Sequence, residues 1–321
     1  MDIIYTKYGR QYRGNNFPEG PYRLEDIARI GRNIEADIDF SDSLRTIHSD
    51  SHIAEVESAG DQSRMLAEVP ADKYTYPAVL NSATLALSAA RNGHFGCTRP
   101  PGHHATGDVA KGFCFFNNMA IAVQSLLNEG KRVCILDIDG HQGDGTEQIF
   151  YASDQVLFCS IHQEFAYPYF YLGMNPSAGY DVTVDRRGKD HGEGFTWNLP
   201  VPKNAGDDIW LDFVREFTST IEEFSPDIIG ISAGFDGYHA DALLNLNYTQ
   251  AGYYEFGRII HDLGIQSFAL LEGGYHNDVV ACIEALVTGI NGEDYTPDDE
   301  LSTSSKGIFG RYKEYYERLE I

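Results

Sequence analysis

Four short stretches of this sequence gather residue types suited to metal and acid–base chemistry. In DIDGHQGDG (137–145), Asp137, Asp139 and His141 alternate with other residues, so an extended backbone turns all three side chains to one side. Two carboxylates and an imidazole placed this way suit a divalent cation with nitrogen and oxygen ligands. A polar turn with a helix cap accounts for this stretch equally well, because Gly143 to Gly145 is turn-like. RPPGHHA (99–105) sets His103 beside His104 after a Pro-Pro-Gly turn, as a base and its helper would stand. Each imidazole needs an acceptor on its far nitrogen to fix its tautomer, and Asp137 and Asp144 are candidates. SAGFDGYHAD (232–241) offers Asp236 as a third metal ligand. LEGGY (271–275) carries Tyr275 on a flexible double-glycine loop, where its hydroxyl can donate to an oxyanion. The chain has 20 tyrosines, so Tyr275 alone says little. Together the four stretches describe a catalytic metal with open positions, a histidine pair and an electrophilic tyrosine.

Something must bring these residues together. KRVCILDID (131–139), DQVLFCSIH (154–162), DIIGISAG (227–234) and IQSFALLEGG (265–274) read as buried strands. Helical spacing predicts helices over 77–93, 117–130, 206–224 and 249–263, and a surface helix over 302–321. Strands alternating with helices predict an α/β fold: one open parallel sheet, helices on both faces, in a single domain over 1–321. Ligands of such sheets bind beyond the carboxyl ends of the strands, and the chemistry-bearing residues fall there, with Ser160 and His162 among them.

Composition bounds the partners. Lys and Arg number 24 against 48 Asp and Glu, a net charge of −24, which opposes binding to a phosphate backbone. No apolar run is long enough to span a bilayer. Cys97, Cys114, Cys134, Cys159 and Cys282 are scattered without a CxxC pair, and the opening MDIIYTKYGR lacks a signal-peptide layout, so a reducing cytoplasm is expected.

RPPGHHA, GFCFFNN (112–118), ILDIDGHQGDGTEQIF (135–150), SIH (160–162), SAGFD (232–236) and LEGGY, in that order from about Arg99 to Tyr275, resemble the motif series of the arginase-fold histone deacetylase superfamily. Their forms are closer to class II histone deacetylases and bacterial acetylpolyamine amidohydrolases than to class I. The resemblance implies a zinc-dependent enzyme that removes acetyl groups from acetylated lysine, in a protein or peptide, or from a similar small amine. It implies zinc on Asp139, His141 and Asp236, one ion per chain, with iron(II) as the alternative metal. It implies His104 as general base and then acid with Asp144 behind it, His103 as electrostatic helper oriented by Asp137, and Tyr275 as oxyanion donor. Gly112, Phe113 and Gly273 would meet the substrate, with Tyr167 or Phe170 of YPYFY (167–171) as the opposite tunnel wall. A structural potassium ion would sit on Asp137, Asp139, His141, Ser160 and Ile161, and a second monovalent site near Phe150, Ser153 and Val156.

Two positions depart from the family pattern. Gly140 replaces a bulkier residue, which predicts a looser local backbone, and Gln142 replaces a second histidine. Two remote alternatives are an arginase-like ureohydrolase with two manganese ions, which needs further paired ligands, and a non-catalytic binding module. On substrate, Leu243 stands where the family's eukaryotic polyamine deacetylases carry an acid, which tips the expectation to acetyl-lysine. Glu68 or Asp72 of MLAEVPADKYTYP (65–77) could supply a rim acid for an acetylpolyamine instead.

Overall fold

Consecutive residues of Val133–Asp137 face opposite sides of a sheet, and all five are buried. This strand therefore needs apolar cover on both faces, and the remaining elements provide it. The computed structural model describes residues 1–14, 18–35, 41–170, 173–174 and 178–319. Among these, Ile3–Tyr5 (β1), Arg32–Asn33 (β2), Phe95–Gly96 (β3), Val133–Asp137 (β4), Val156–Gln163 (β5), Thr196–Val201 (β6), Ile228–Ala233 (β7) and Ser267–Leu271 (β8) form one eight-stranded sheet. Its order is β2-β1-β3-β8-β7-β4-β5-β6, and every pairing is parallel.

Helices Thr75–Asn92 (α1) and Asn118–Asn128 (α2) cover one face, where Val133, Ile135, Phe158 and Phe268 pack with Val79, Met119 and Val123. Between α2 and the next covering helix lies the short Asp144–Phe150 (α3). Asp207–Phe224 (α4), Gln250–Asp262 (α5) and Val279–Asn291 (α6) cover the other face, where Cys134, Leu136, Ile229 and Leu271 meet Trp210, Phe217, Phe256 and Leu286. Local signals set the helix ends. Asn117 caps α2 by accepting from the Ala120 N–H at 2.8 Å, and Gly93 closes α1 in the left-handed region at φ +67°.

The expected strands and helices are present with ends shifted by a few residues, as the open parallel sheet requires. Strands β1, β2 and β3 were not foreseen, because two or three residues carry no readable period. TWNLPV of β6 was missed because Asn and Pro mask it; as the outermost strand it tolerates Pro200. The C-terminal segment needs a correction. Lys306–Leu319 (α7) is not merely a surface helix: Tyr312, Tyr315 and Leu319 are buried as it packs on α4 and β6. The Tyr315 hydroxyl donates to Glu164 Oε2 at 2.8 Å and accepts the Asp181 N–H at 3.0 Å.

Register then aligns the strand ends. Asp137, the last residue of β4, lies opposite Ser160 of β5 and Ser232 of β7, while Leu271 of β8 lies opposite Ala233. The residues just beyond these pairs emerge side by side at one edge of the sheet. Removing the Tyr315 hydroxyl should leave the buried Asp181 N–H unpaired and take one of two donors from Glu164 Oε2, which keeps Arg311. Tyr315→Phe is expected to cost about 1–3 kcal/mol, read as a lower urea midpoint with an unchanged slope. An unchanged midpoint would mean that the Tyr315 hydroxyl contributes nothing to holding α7.

Candidate active site

The loops after β4 and β7 bring Asp139, His141 and Asp236 together, with ligand-capable atoms within 4.8 Å of one another. His141 Nδ1 lies 2.7 Å from Asp236 Oδ2 and 3.3 Å from Asp139 Oδ1. Backbone donors fix the carboxylates from behind: Gly140 N–H to Asp236 Oδ1 and Gly273 N–H to Asp139 Oδ2, each at 2.7 Å. Burial would lower the His141 pKa, but Asp236 and Asp139 carry it to about 10. Burial pushes the Asp236 carboxyl up, with Asp139 adding to the effect, whereas the His103 and His141 charges outweigh burial at Asp139 and hold it low. The cluster thus draws positive charge, and its nitrogen-and-oxygen donor set fits a divalent cation such as zinc. Among the described residues this is the metal-capable grouping, so the second ligand set that two manganese ions would need is not present there.

The histidine pair stands beside the cluster, its ring centroids 4.0 Å apart. His103 Nδ1 donates to Asp137 Oδ2 at 3.0 Å, and His104 Nδ1 donates to Asp144 Oδ1 at 2.9 Å, so each far-nitrogen acceptor is the one expected. Burial opposes charge on both rings, with opposite outcomes. At His103 the carboxylates of Asp139 and Asp137 prevail and raise the pKa well above the usual value. At His104 burial and the neighbouring His103 charge lower it to about 3 despite Asp144. His104 is therefore neutral, with Nε2 left to accept a proton. Glu272 Oε2 ties the turn in place by accepting the N–H groups of Gly102 at 2.7 Å and His103 at 3.1 Å.

Tyr275 is not on a flexible loop. Arg23 donates to the carbonyls of Gly274, at 2.6 Å, and Glu272. Asp241 accepts the Tyr275 N–H at 2.6 Å, and the Tyr22 hydroxyl donates to the Tyr275 carbonyl at 3.0 Å. The Arg23 guanidinium also lies 4.7 Å from the centre of the Tyr275 ring. Glu19 balances this buried cation, pairing with Arg23 at 3.0 Å and with Arg99 at 2.8 Å. Burial keeps the Tyr275 hydroxyl protonated far above neutral pH, as a donor must be. Sequence reasoning missed Arg23 and Glu19, which sit outside every motif, and gave no role to Asp241 although it lies within SAGFDGYHAD.

A cavity of 310 Å³ opens above these groups. His103, His104, Asp139, His141 and Tyr275 line its floor; Gly112, Phe113 and Tyr167 form its walls; Glu68 and Leu243 stand at its mouth. Lys111–Cys114 is a tight turn in which Gly112 and Phe113 both take positive φ, +55° and +67°. A Cβ on Gly112 would strike the His104 ring, so glycine is required there. Glu68 Oε1 accepts the Gly112 N–H at 3.0 Å and the Tyr167 hydroxyl at 2.6 Å, joining the two walls.

Several expectations are corrected. Phe170 is 61 % exposed and packs edge-on against Tyr169, outside the cavity, because Tyr167 already fills the wall position; Tyr171 lies outside the described residues. Gly273 faces Asp139 and Asp236 rather than the substrate space, since a Cβ there would meet both carboxylates. Asp72 accepts the Tyr74 N–H at 2.8 Å in the turn leading into α1 and does not line the cavity. The backbone at Gly140 is held, not loose: its N–H donates to Asp236 Oδ1 at 2.7 Å and its carbonyl accepts the Gln163 N–H at 2.9 Å. Gln142 is buried and donates to Glu147 Oε2 at 2.7 Å. Of the residues expected around potassium, Ser160 sits beside Asp137 in register, its hydroxyl 3.0 Å from His162 Nδ1, and the Ile161 side chain is in the core.

The histone deacetylase domain, as a family description, matches residues 24–290 of this chain. The acetylpolyamine amidohydrolase 1 of Pseudomonas aeruginosa is 39 % identical over 217 residues, covering 65 % of this chain and 60 % of the relative. A probable deacetylase of Methanothermobacter thermautotrophicus is 32 % identical over 288 residues, covering 86 % of this chain and 84 % of the relative. The match spans about 60 % of the length of several of the curated relatives. Among solved structures, the HDA15 HD domain superposes with a TM-score of 0.81 at 29 % identity, over 91 % of both chains. An acetylpolyamine aminohydrolase from Burkholderia pseudomallei gives 0.78 at 27 % identity, over 90 % of this chain and 99 % of that one.

If Asp139, His141 and Asp236 hold a divalent ion, removing one carboxylate should empty the site. Asp236→Ala, purified with zinc, is expected to carry little metal by elemental analysis and to show no turnover. Full occupancy in that variant would remove Asp236 from the ligand set.

Proposed function

Because this chain belongs to the histone deacetylase domain family, we propose that it hydrolyses the amide of an acetylated primary amine, with residues 1–321 acting as one zinc-dependent catalytic domain. The observation that carries this reading is the juxtaposition at the cavity floor: the Asp139, His141 and Asp236 cluster, a neutral His104 and the pinned Tyr275 share one space. When bound there, zinc would polarise the amide carbonyl and lower the pKa of water towards about 7. His104 takes the proton of the attacking water at Nε2, its Nδ1 being committed to Asp144, and returns it to the departing amine nitrogen. The Tyr275 hydroxyl donates to the carbonyl oxygen as negative charge builds on it. His103, oriented by Asp137 at 3.0 Å and set beside His104, acts as its electrostatic helper. Phe113 and Tyr167 hold the alkyl chain that leads to the amide, and Leu243 meets it at the mouth. A structural potassium ion on Asp137, Asp139, His141, Ser160 and Ile161 completes the proposal. Five unpaired, buried cysteines suit a cytoplasmic setting.

The acyl carrier is acetyl-lysine in the first reading, in keeping with Leu243. Glu68 favours a second reading, an acetylpolyamine, because its carboxylate stands at the mouth where a second ammonium would arrive.

His104→Ala and Tyr275→Phe should each lower kcat by about 100-fold or more with zinc retained. Near-normal turnover in Tyr275→Phe would require another oxyanion donor. The carrier is decided by kcat/KM for an acetyl-lysine peptide against acetylputrescine and acetylspermidine. A tenfold advantage for the polyamine that Glu68→Gln abolishes would replace the first reading with the second.

A further inference from the structure

Lys111 lies outside the residues given a role above, yet it joins two parts of the site. Its N–H and C=O pair with Cys114 at 3.0 and 2.9 Å, closing the turn that aims Phe113 into the cavity. Its ammonium forms an ion pair with Asp144 Oδ2, while the other oxygen of that carboxylate accepts from His104 Nδ1 at 2.9 Å. The pair is largely withdrawn from water, the side chain of Lys111 being 17 % exposed and that of Asp144 4 %. Among the described residues, the ion-pair partners of Asp144 are these two.

The companion dyad is built differently. Asp137 gives one oxygen to His103 Nδ1 and the other to the backbone N–H of Asp139, at 3.2 Å, so the strand end fixes it without a lysine. Among the described residues Asp144 has no such backbone partner on its second oxygen; Lys111 occupies it. A carboxylate gripped at one oxygen can still swing about its Cα–Cβ bond, whereas grips at both oxygens leave one orientation. Leaving a buried carboxylate half-paired is also costly, so the ion pair resists rearrangement.

We propose that Lys111 is a positioning residue for His104: by holding the second oxygen of Asp144 it sets the plane of the imidazole and ties it to the Phe113 wall. Base and wall then keep a fixed relation, so a chain seated against Phe113 presents its amide to a correctly turned Nε2. This rests on the reading of His104 as the proton-transferring group. The effect belongs on turnover rather than substrate affinity, because Lys111 touches neither the cavity nor the metal cluster.

The test compares the zinc-loaded enzyme with its Lys111→Met, Lys111→Gln and Lys111→Arg variants. Lys111→Met should keep its zinc and a KM within about twofold while kcat falls by about 10–100-fold, the scale for a lost orienting partner. Lys111→Gln, which can hydrogen-bond but carries no charge, should fall between the two and serves if the methionine variant does not fold. Lys111→Arg should recover most of kcat. Unchanged kcat in the folded uncharged variants would overturn the inference, as would a loss that lies in KM and is equal for arginine and methionine. If the unsubstituted chain fails to hydrolyse any acetylated amine, the reading of the site falls and this inference with it; the unsubstituted control separates the two failures.

Discussion

Asp137, Asp139, Asp236 and Glu272 lie fully buried within a few residues of the ends of three neighbouring strands. An unpaired carboxylate costs several kcal/mol to take out of water, so four of them in one place constrain everything nearby. Each is answered by specific positive charge or donors. Asp137 has the His103 imidazole and the Asp139 N–H, Asp236 has the Gly140 N–H and His141, and Glu272 has the N–H groups of Gly102 and His103. Burial still pushes Glu272 up to about 7, which shows how little negative charge this region tolerates. Asp139, with the Gly273 N–H and His141 as partners, stays ionised at the centre. A divalent cation is the economical complement to such a cluster.

That constraint explains features that otherwise look unrelated. Glycine is required at 143, 234 and 273 because a Cβ at each would crowd Asp137, Asp139 or both metal-facing carboxylates. The parallel sheet is needed because only strands running the same way deliver their carboxyl ends to one edge. The Glu19 salt bridges keep Arg23 buried, and Arg23 in turn holds the Gly274 carbonyl that sets the height of Tyr275. The His103 and His104 pair divides into a charged helper and a neutral acceptor because carboxylates surround the first ring more closely than the second.

The chemistry-bearing residues could be read from sequence because metal and proton transfer demand particular side chains, and those stand in short glycine-punctuated stretches. The need of each imidazole for an acceptor, with Asp137 and Asp144 as candidates, could be read in the same way, whereas which acid serves which ring was implied only by the family resemblance. Long, fully buried strands such as Val156–Gln163 were equally legible from their apolar β-branched and aromatic runs. What stayed hidden depends on the folded chain. Arg23 reaches Gly274 across 251 residues, and Glu68 reaches Tyr167 across 99, distances over which a sequence gives no spacing rule. Phe170 and Tyr167 are indistinguishable as letters; only the backbone path decides which ring enters the cavity. The buried face of α7 was obscured because tyrosines at helical spacing among charges also suit a solvated helix.

Calorimetric titration of the metal-free chain with zinc, in buffers of different ionisation enthalpy, tests the central claim most directly. His141 holds a proton in the cation-free cluster, at a pKa of about 10, and must lose it to act as a ligand. The account predicts binding of one zinc per chain with net proton release at neutral pH, from His141 and from the raised Asp236 carboxyl. Absence of binding, or binding with no buffer-dependent heat, would contradict it.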